Sequence, residues 1–122
     1  MILLDDFYSI QQRTSSPGVV KATISINKRH RILEGHFPGL PVVPGVCMLQ
    51  IVREIMEVNA GRELKITAAD NMKFLSVINP EQNADVDVAI NYTEEGERFS
   101  INATLFAGTI TFFKLKAILQ TT

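Results

Sequence analysis

The sequence predicts an α+β domain in which one long apolar helix is wrapped by a curled antiparallel sheet of about five strands. Three observations predict it. Between residues 46 and 59 apolar side chains cover a wide helical arc and leave one narrow polar stripe. Beyond residue 63 every periodic segment alternates with period two, and turn sequences separate those segments. The chain has 122 residues, 46% of them apolar, which is enough for one core of ordinary size and leaves no room for a second beside it. Residues 1–122 are therefore read as a single domain.

Residues 3–10 form a short helix or a strand lead-in, and Thr14-Ser15-Ser16-Pro17-Gly18 is the turn that ends it. Val20, Ala22, Ile24 and Ile26 alternate with Lys21, Thr23 and Ser25, the pattern of a strand with one buried face. From Arg29 to Gly45 no period holds. Three prolines and three glycines fall between Gly35 and Gly45, so this segment is expected to be a stiff loop anchored by Phe37, Leu40, Val42 and Val43. Pro44-Gly45 opens a helix over about Val46 to Asn59, with Gly61 as its C-terminal glycine. Gln50, Arg53, Glu54 and Glu57 make its polar stripe, with Glu54 expected as a solvent or salt-bridge residue.

After the helix, Leu64 to Ala69 and Met72 to Ile78 make one long or bent strand that stops at Asn79-Pro80. Ala84 to Tyr92 alternates as the next, and Glu94-Glu95-Gly96-Glu97 is a hairpin turn. Phe99 to Leu105 and a final strand carrying Phe113, Leu115, Ala117 and Leu119 are joined by Ala107-Gly108-Thr109. Consecutive hairpins imply antiparallel pairing.

Twelve Lys and Arg against 13 Asp and Glu give a formal charge of −1, which excludes a grip on nucleic acid or anionic lipid through bulk charge. One cysteine, Cys47, and two distant histidines cannot make an intrachain disulfide or a four-ligand zinc site. Met1-Ile2-Leu3-Leu4-Asp5-Asp6 reverses the charge order of a secretion signal, and Pro38, Pro41 and Pro44 interrupt the longest uncharged stretch, so the cytoplasm is the expected location. No phosphate-binding glycine loop, dinucleotide motif or metal cluster is present in the sequence, and no cofactor is expected.

His30 lies between Arg29 and Arg31 and reads as an exposed surface residue. His36 sits at the mouth of the stiff loop, about ten residues before a helix whose N-terminal N–H groups and dipole can stabilise an oxyanion. That arrangement suits removal of a proton next to a carbonyl, although spacing alone fits a hydrogen-bonded loop histidine better.

The run Glu34-Gly35-His36-Phe37-Pro38-Gly39-Leu40-Pro41-Val42-Val43-Pro44-Gly45-Val46 resembles the GHFPGxPxxPGV signature of the hot-dog 3-hydroxyacyl-acyl carrier protein dehydratases of bacterial fatty-acid synthesis. Asp70-Asn71-Met72-Lys73-Phe74 followed by Asn79-Pro80 resembles a second stretch of that family, and the likeness covers about residues 18–119. The short N-terminal part is more similar to the small dehydratases of aryl-polyene and related pathways.

The resemblance implies a hot-dog fold, a homodimer or larger oligomer paired edge to edge with an acyl tunnel at the interface, and an acyl carrier protein or coenzyme A thioester as partner. It makes His36 the base on the α-carbon and the Gly45 N–H the donor to the thioester carbonyl. Phe37, Pro38, Gly39, Val46 and Phe74 are the implied substrate-binding residues. Leu40, Met48 and Val77 line the tunnel or belong to the core. Counting along the motif, the family's acid falls at Gln50, whose amide exchanges hydrogen bonds but cannot deliver a proton. Three alternatives follow. His36 handles both protons while Gln50 holds the hydroxyl or a water; Glu54, one turn on, reaches the site; or the chain binds thioesters without turnover, pairing with a related subunit. Cys47 as the nucleophile of a thioesterase is the weaker reading, since a small thiol on an apolar face is the usual core finding. Lys28, Arg29, Arg31, Arg53 and Lys73 are candidates for steering an acidic carrier.

Overall fold

A computed structural model describes residues 2–35 and 39–122. Six strands form, one more than expected: β1 (Tyr8–Ser16), β2 (Val19–Ile26), β3 (Leu64–Phe74), β4 (Asp85–Glu95), β5 (Arg98–Ala107) and β6 (Ile110–Thr121). The additional strand is β1, whose residues from Gln11 to Ser16 are exposed and so carry no alternation of burial. Thr14, Ser15 and Ser16 accordingly belong to a strand, and the turn is confined to Pro17-Gly18, where Gly18 has φ 80°.

All pairings are antiparallel, in the order β1-β2-β4-β5-β6-β3, so β1 and β3 are the sheet edges. The register sets Val20 opposite Ile90, Ile90 opposite Ala103 and Leu105 opposite Phe113, which gathers the apolar positions of four strands on one face. β3 is long and irregular as expected. Its register shifts between Ile66 and Ala68 and again between Ala69 and Asn71, two bulges that bend the edge strand.

Two helices interrupt the strands: α1 (Arg31–Gly35) and α2 (Gly45–Ala60). α2 starts after Pro44 in an extended conformation and ends at Gly61 in the left-handed region, whose N–H donates to Glu57 O. Cys47, Met48, Ile51, Val52, Ile55 and Met56 of α2 are buried in one cluster with the inner face of the curled sheet. α1 lies inside the segment expected to be irregular. It is too short for a periodic signal and is held by His30, whose Nδ1 accepts from Ile32 N at 3.1 Å. His30 is therefore half-buried and engaged, not a free exposed side chain: Nε2 meets Asp6 Oδ2 at 2.9 Å, and Phe7 packs edge-on against the ring.

Candidate active site

The site builds from the loop that enters α2. His36, Phe37 and Pro38 lie outside the described residues. Gly39 has φ 77°, a conformation that favours glycine, and Leu40 is exposed. Val42 and Val43 are buried, and Val43 N donates to Ile78 O at 2.9 Å, tying the loop to the segment that follows β3.

Cys47 N and Met48 N both bond Pro44 O, so the N–H groups of Gly45 and Val46 are the ones no carbonyl of the helix can reach. They are the donors available to an acceptor at this helix end, where the dipole also favours negative charge. Phe74, at the end of β3, packs its ring onto Gly45: a Cβ there would stand 2.7 Å from Cε1 and 2.9 Å from Cζ. The ring also stacks at a tilt on Phe113, with centroids 5.0 Å apart. The structure thus brings two predicted site residues, Gly45 and Phe74, into contact. Phe74 remains 55% exposed, and Val46, Met72, Leu75 and Val77 are exposed as well. Met48 instead faces the core.

One turn into α2, Gln50 is half-buried and donates its Nε2 to Glu54 Oε2 at 2.9 Å. Glu54 is not the solvent or salt-bridge residue that its place on the polar stripe suggested; it is 5% exposed. Its Oε2 also accepts from Leu3 N at 2.8 Å, while Oε1 accepts from Leu4 N and from the Tyr8 hydroxyl, both at 2.9 Å. Four donors converge on one buried carboxylate, which is the condition under which such a charge is tolerated. Both oxygens of this carboxylate are thus taken up as acceptors within the fold. The remainder of the stripe holds the start of β3: Arg53 Nε donates to Leu64 O, and Leu64 N donates to Glu57 Oε2, each at 2.9 Å. The stripe is thus covered by the N-terminal segment and the β3 start. Leu3, Phe7 and Tyr8, all buried, were the sequence signal that something covers it.

Burial pushes the Tyr8 phenol well above its ordinary range, helped by the charge of Glu54 and the hydrogen bond to it. Burial likewise pushes the Cys47 thiol up, with Glu54 adding to the effect. Cys47 is thereby a poor nucleophile. A cleft of about 420 Å³ runs beside Gln50, lined by Ile2, Leu4, Gln50, Arg53, Glu54 and Glu57 among others. Among the described residues no group of three or more His, Cys, Asp or Glu could hold a metal ion, and no helix is long and apolar enough to cross a membrane. Of the basic candidates, Arg53 is engaged with Leu64 and Glu57, whereas Lys28, Arg29, Arg31 and Lys73 are exposed.

The ApeI-like family, described as ApeI dehydratase, matches residues 11–109. A 3-hydroxyacyl-[acyl-carrier-protein] dehydratase FabZ of Roseobacter denitrificans is 31% identical over 88 residues, which are 65% of this chain and 55% of that protein. The FabZ of Rickettsia massiliae is 24% identical over 98 residues, 74% of this chain and 65% of its own length. The chain therefore spans less than two-thirds of either relative. Among solved structures, a chain of the dehydratase heterocomplex ApeI:P from Xenorhabdus doucetiae matches with a TM-score of 0.73 at 18% identity, covering 91% of this chain and 96% of that one. An uncharacterized protein from Erwinia carotovora subsp. atroseptica matches with a TM-score of 0.69 at 17% identity, over 92% of each chain. At these identities the structural likeness is one of fold, and that fold is the expected hot-dog.

Proposed function

The chain belongs to the ApeI-like dehydratase family, and from that premise we propose that it eliminates water from a 3-hydroxyacyl thioester to give the trans-2-enoyl thioester. His36 takes the α-proton as the Gly45 N–H binds the thioester carbonyl oxygen, on which negative charge develops. The C–O bond to the 3-hydroxyl then breaks, and the proton on His36 leaves with that hydroxyl as water. Gln50 holds the hydroxyl and the departing water by hydrogen bonds. The observation that carries this reading is the start of α2, where Gly45 and Val46 present N–H groups that no helix carbonyl reaches and the Phe74 ring packs on Gly45, with Gln50 further along the same helix.

The substrate carrier in this proposal is an acyl carrier protein or coenzyme A, which fits a cytoplasmic site of action and a reduced Cys47. The assembly is a dimer through the β3 edge, whose outer backbone groups and exposed Met72 and Phe74 suit pairing with a second sheet. A second copy or a related subunit would fill that edge, and the Xenorhabdus structure is itself a heterocomplex.

A second reading, an acyl-thioester-binding subunit without turnover, is favoured by one observation. The position of the family's acid holds an amide, and its carboxylate neighbour is committed to four donors. A thioesterase through Cys47 is disfavoured by the burial of the thiol.

Enoyl formation and free thiol are followed together on a 3-hydroxyacyl thioester with wild type and His36→Ala. Enoyl product that disappears in His36→Ala supports the dehydratase. Substrate binding without product would replace it with the binding subunit, and thiol release without enoyl would replace it with a thioesterase.

A further inference from the structure

We propose that His30 is a positioning residue for the motif loop: held in one tautomer between Ile32 and Asp6, its imidazole ties α1 to the N-terminal segment that also anchors α2. The kinetic consequence rests on the dehydratase reading, and the tie itself rests on geometry.

The chain leaves α1 at Gly35 and enters α2 at Gly45, so two helices set the two ends of the motif loop. Residues 3–8 reach both helices. They form a tight turn in which Phe7 N donates to Leu3 O and Asp5 N to Tyr8 O, each at 2.7 Å. On one side of this turn, Leu3 N and Leu4 N donate to Glu54 of α2 at 2.8 and 2.9 Å. On the other, Asn27 N donates to Phe7 O at 2.8 Å, and the Asp6 carboxylate meets His30 Nε2 at 2.9 Å. The turn is a bracket between the helices on either side of the motif, and His30 is its contact with α1.

Only one state of the ring serves both of its neighbours. A backbone N–H can only donate, so Nδ1, which accepts from Ile32 N at 3.1 Å, carries no proton. A carboxylate only accepts, so the proton sits on Nε2. Moving it to Nδ1, or adding a second, would set two donors against each other in the first turn of α1. Capping alone does not call for histidine, because Asn or Asp supplies a better acceptor there. What imidazole adds is a donor on its far side that reaches Asp6, in a ring steadied edge-on by Phe7 with centroids 5.2 Å apart. The Asp6 side chain is 68% exposed, so the pair adds little stability. Its effect is on direction: it fixes how α1 is turned, and with it how the chain leaves Gly35 toward His36.

The test uses the full chain. Asp6→Ala cuts the link and keeps the cap, and His30→Asn does the same from the other end. Asp6→Asn keeps an acceptor for Nε2 and is the conservative variant. The first readout is imidazole ¹⁵N NMR at neutral pH, where His30→Asn assigns the signals of the chain's two histidines. Wild-type His30 should carry its proton on Nε2 alone. A proton on Nδ1, or on both nitrogens, overturns the tie and needs no variant to fold. The second readout is the ring signals of His36. They should move in Asp6→Ala and His30→Asn and stay in place in Asp6→Asn, while the urea midpoints of the two Asp6 variants agree. His36 signals unmoved in Asp6→Ala overturn the positioning role and leave a helix cap. The third readout is elimination: kcat in Asp6→Ala should fall by about 10-fold with KM within a few-fold, the scale of a small misplacement, and Asp6→Asn should stay near wild type. Equal kcat in the two variants also overturns the positioning role. Wild type that eliminates nothing sinks the proposed function, and the two NMR readouts still decide the tie and the positioning.

Discussion

The ring of Phe74 occupies the space that a side chain on Gly45 would need, with Cε1 2.7 Å from the place of a Cβ. The helix N-terminus and the end of β3 are thereby in direct contact, and the absence of a side chain at residue 45 makes it so. The glycine is required here for close approach, since its φ is not in the left-handed region.

Gly45→Ala should consequently destabilise the fold by about 1 kcal/mol, the low end for overpacking, because the half-exposed ring can swing outward. Pairing the change with Phe74→Ala removes the clash, so the double variant should lose less than the sum of the singles, with coupling of about 0.5 kcal/mol or more. Urea unfolding of the four proteins measures it. Additive losses would mean the ring is elsewhere.

Most of this architecture was legible because it rests on periodicity. The wide apolar arc of α2, Gly61 at its end and the alternation in β2, β4, β5 and β6 each encode a burial pattern that repeats along the chain. β1 was not legible beyond Ile10, since an edge strand exposed on both faces shows no alternation. α1 escaped because its five residues make little more than one turn, held by a histidine side chain and not by pattern. For Glu54, the stripe reported which face of the helix was polar but not what lay over it. The covering residues, Leu3, Leu4 and Tyr8, are about fifty positions away in sequence. His36, Phe37 and Pro38, legible as motif residues, fall outside the described structure.

Tyr8 makes stability depend on alkaline pH. Its phenol is held neutral in the fold by burial and by Glu54. Below about pH 10, the ordinary tyrosine value, both folded and unfolded chains keep the proton and the stabilisation is fully present. Above it the unfolded chain ionises while the fold does not, so stability should fall by about 1.4 kcal/mol per pH unit from this group. Urea midpoints between pH 9 and 11 for wild type and Tyr8→Phe isolate the effect. The difference between the two should shrink as pH rises, and a constant difference would contradict it.

Cys47 should be inert in the native protein. It is 2% exposed, and burial raises its thiol, so little thiolate forms near neutral pH. A thiol reagent at pH 8 should modify it at least about 10²-fold more slowly than free cysteine, with the rate climbing through the urea transition. Prompt stoichiometric reaction without denaturant would reopen the thioesterase reading.

On the solvent face of the sheet, Lys73 of β3 stands directly opposite Lys114 of β6, with Lys116 two residues along and Asn71, Asn102 and Thr104 as neighbours. Among the described residues none of these lysines has an ion-pair partner. Like charges directly opposite in an antiparallel pair are unfavourable. Lys114→Glu should therefore stabilise the protein by about 0.2–1 kcal/mol at low salt, with the gain shrinking at 1 M salt as the charges are screened. Thermal unfolding at two ionic strengths checks both the sign and the salt dependence.

Gln50→Glu is the variant that returns an acid to the motif position, and Glu54 decides what it does. The new carboxyl would replace a donor that lies 2.9 Å from Glu54 Oε2, so two carboxylates would share the space of one hydrogen bond. Like charges at that distance cannot both ionise in a half-buried site, and the pair retains one proton to higher pH than either group alone. That shared proton restores the hydrogen bond and supplies a general acid. Elimination by Gln50→Glu should therefore exceed that of wild type at low pH and lose its advantage as pH rises and the pair gives up its proton, while stability falls over the same range. Rate and urea midpoint measured together from pH 5 to 9 test this. An activity gain independent of pH would show that the two carboxyls are not in contact.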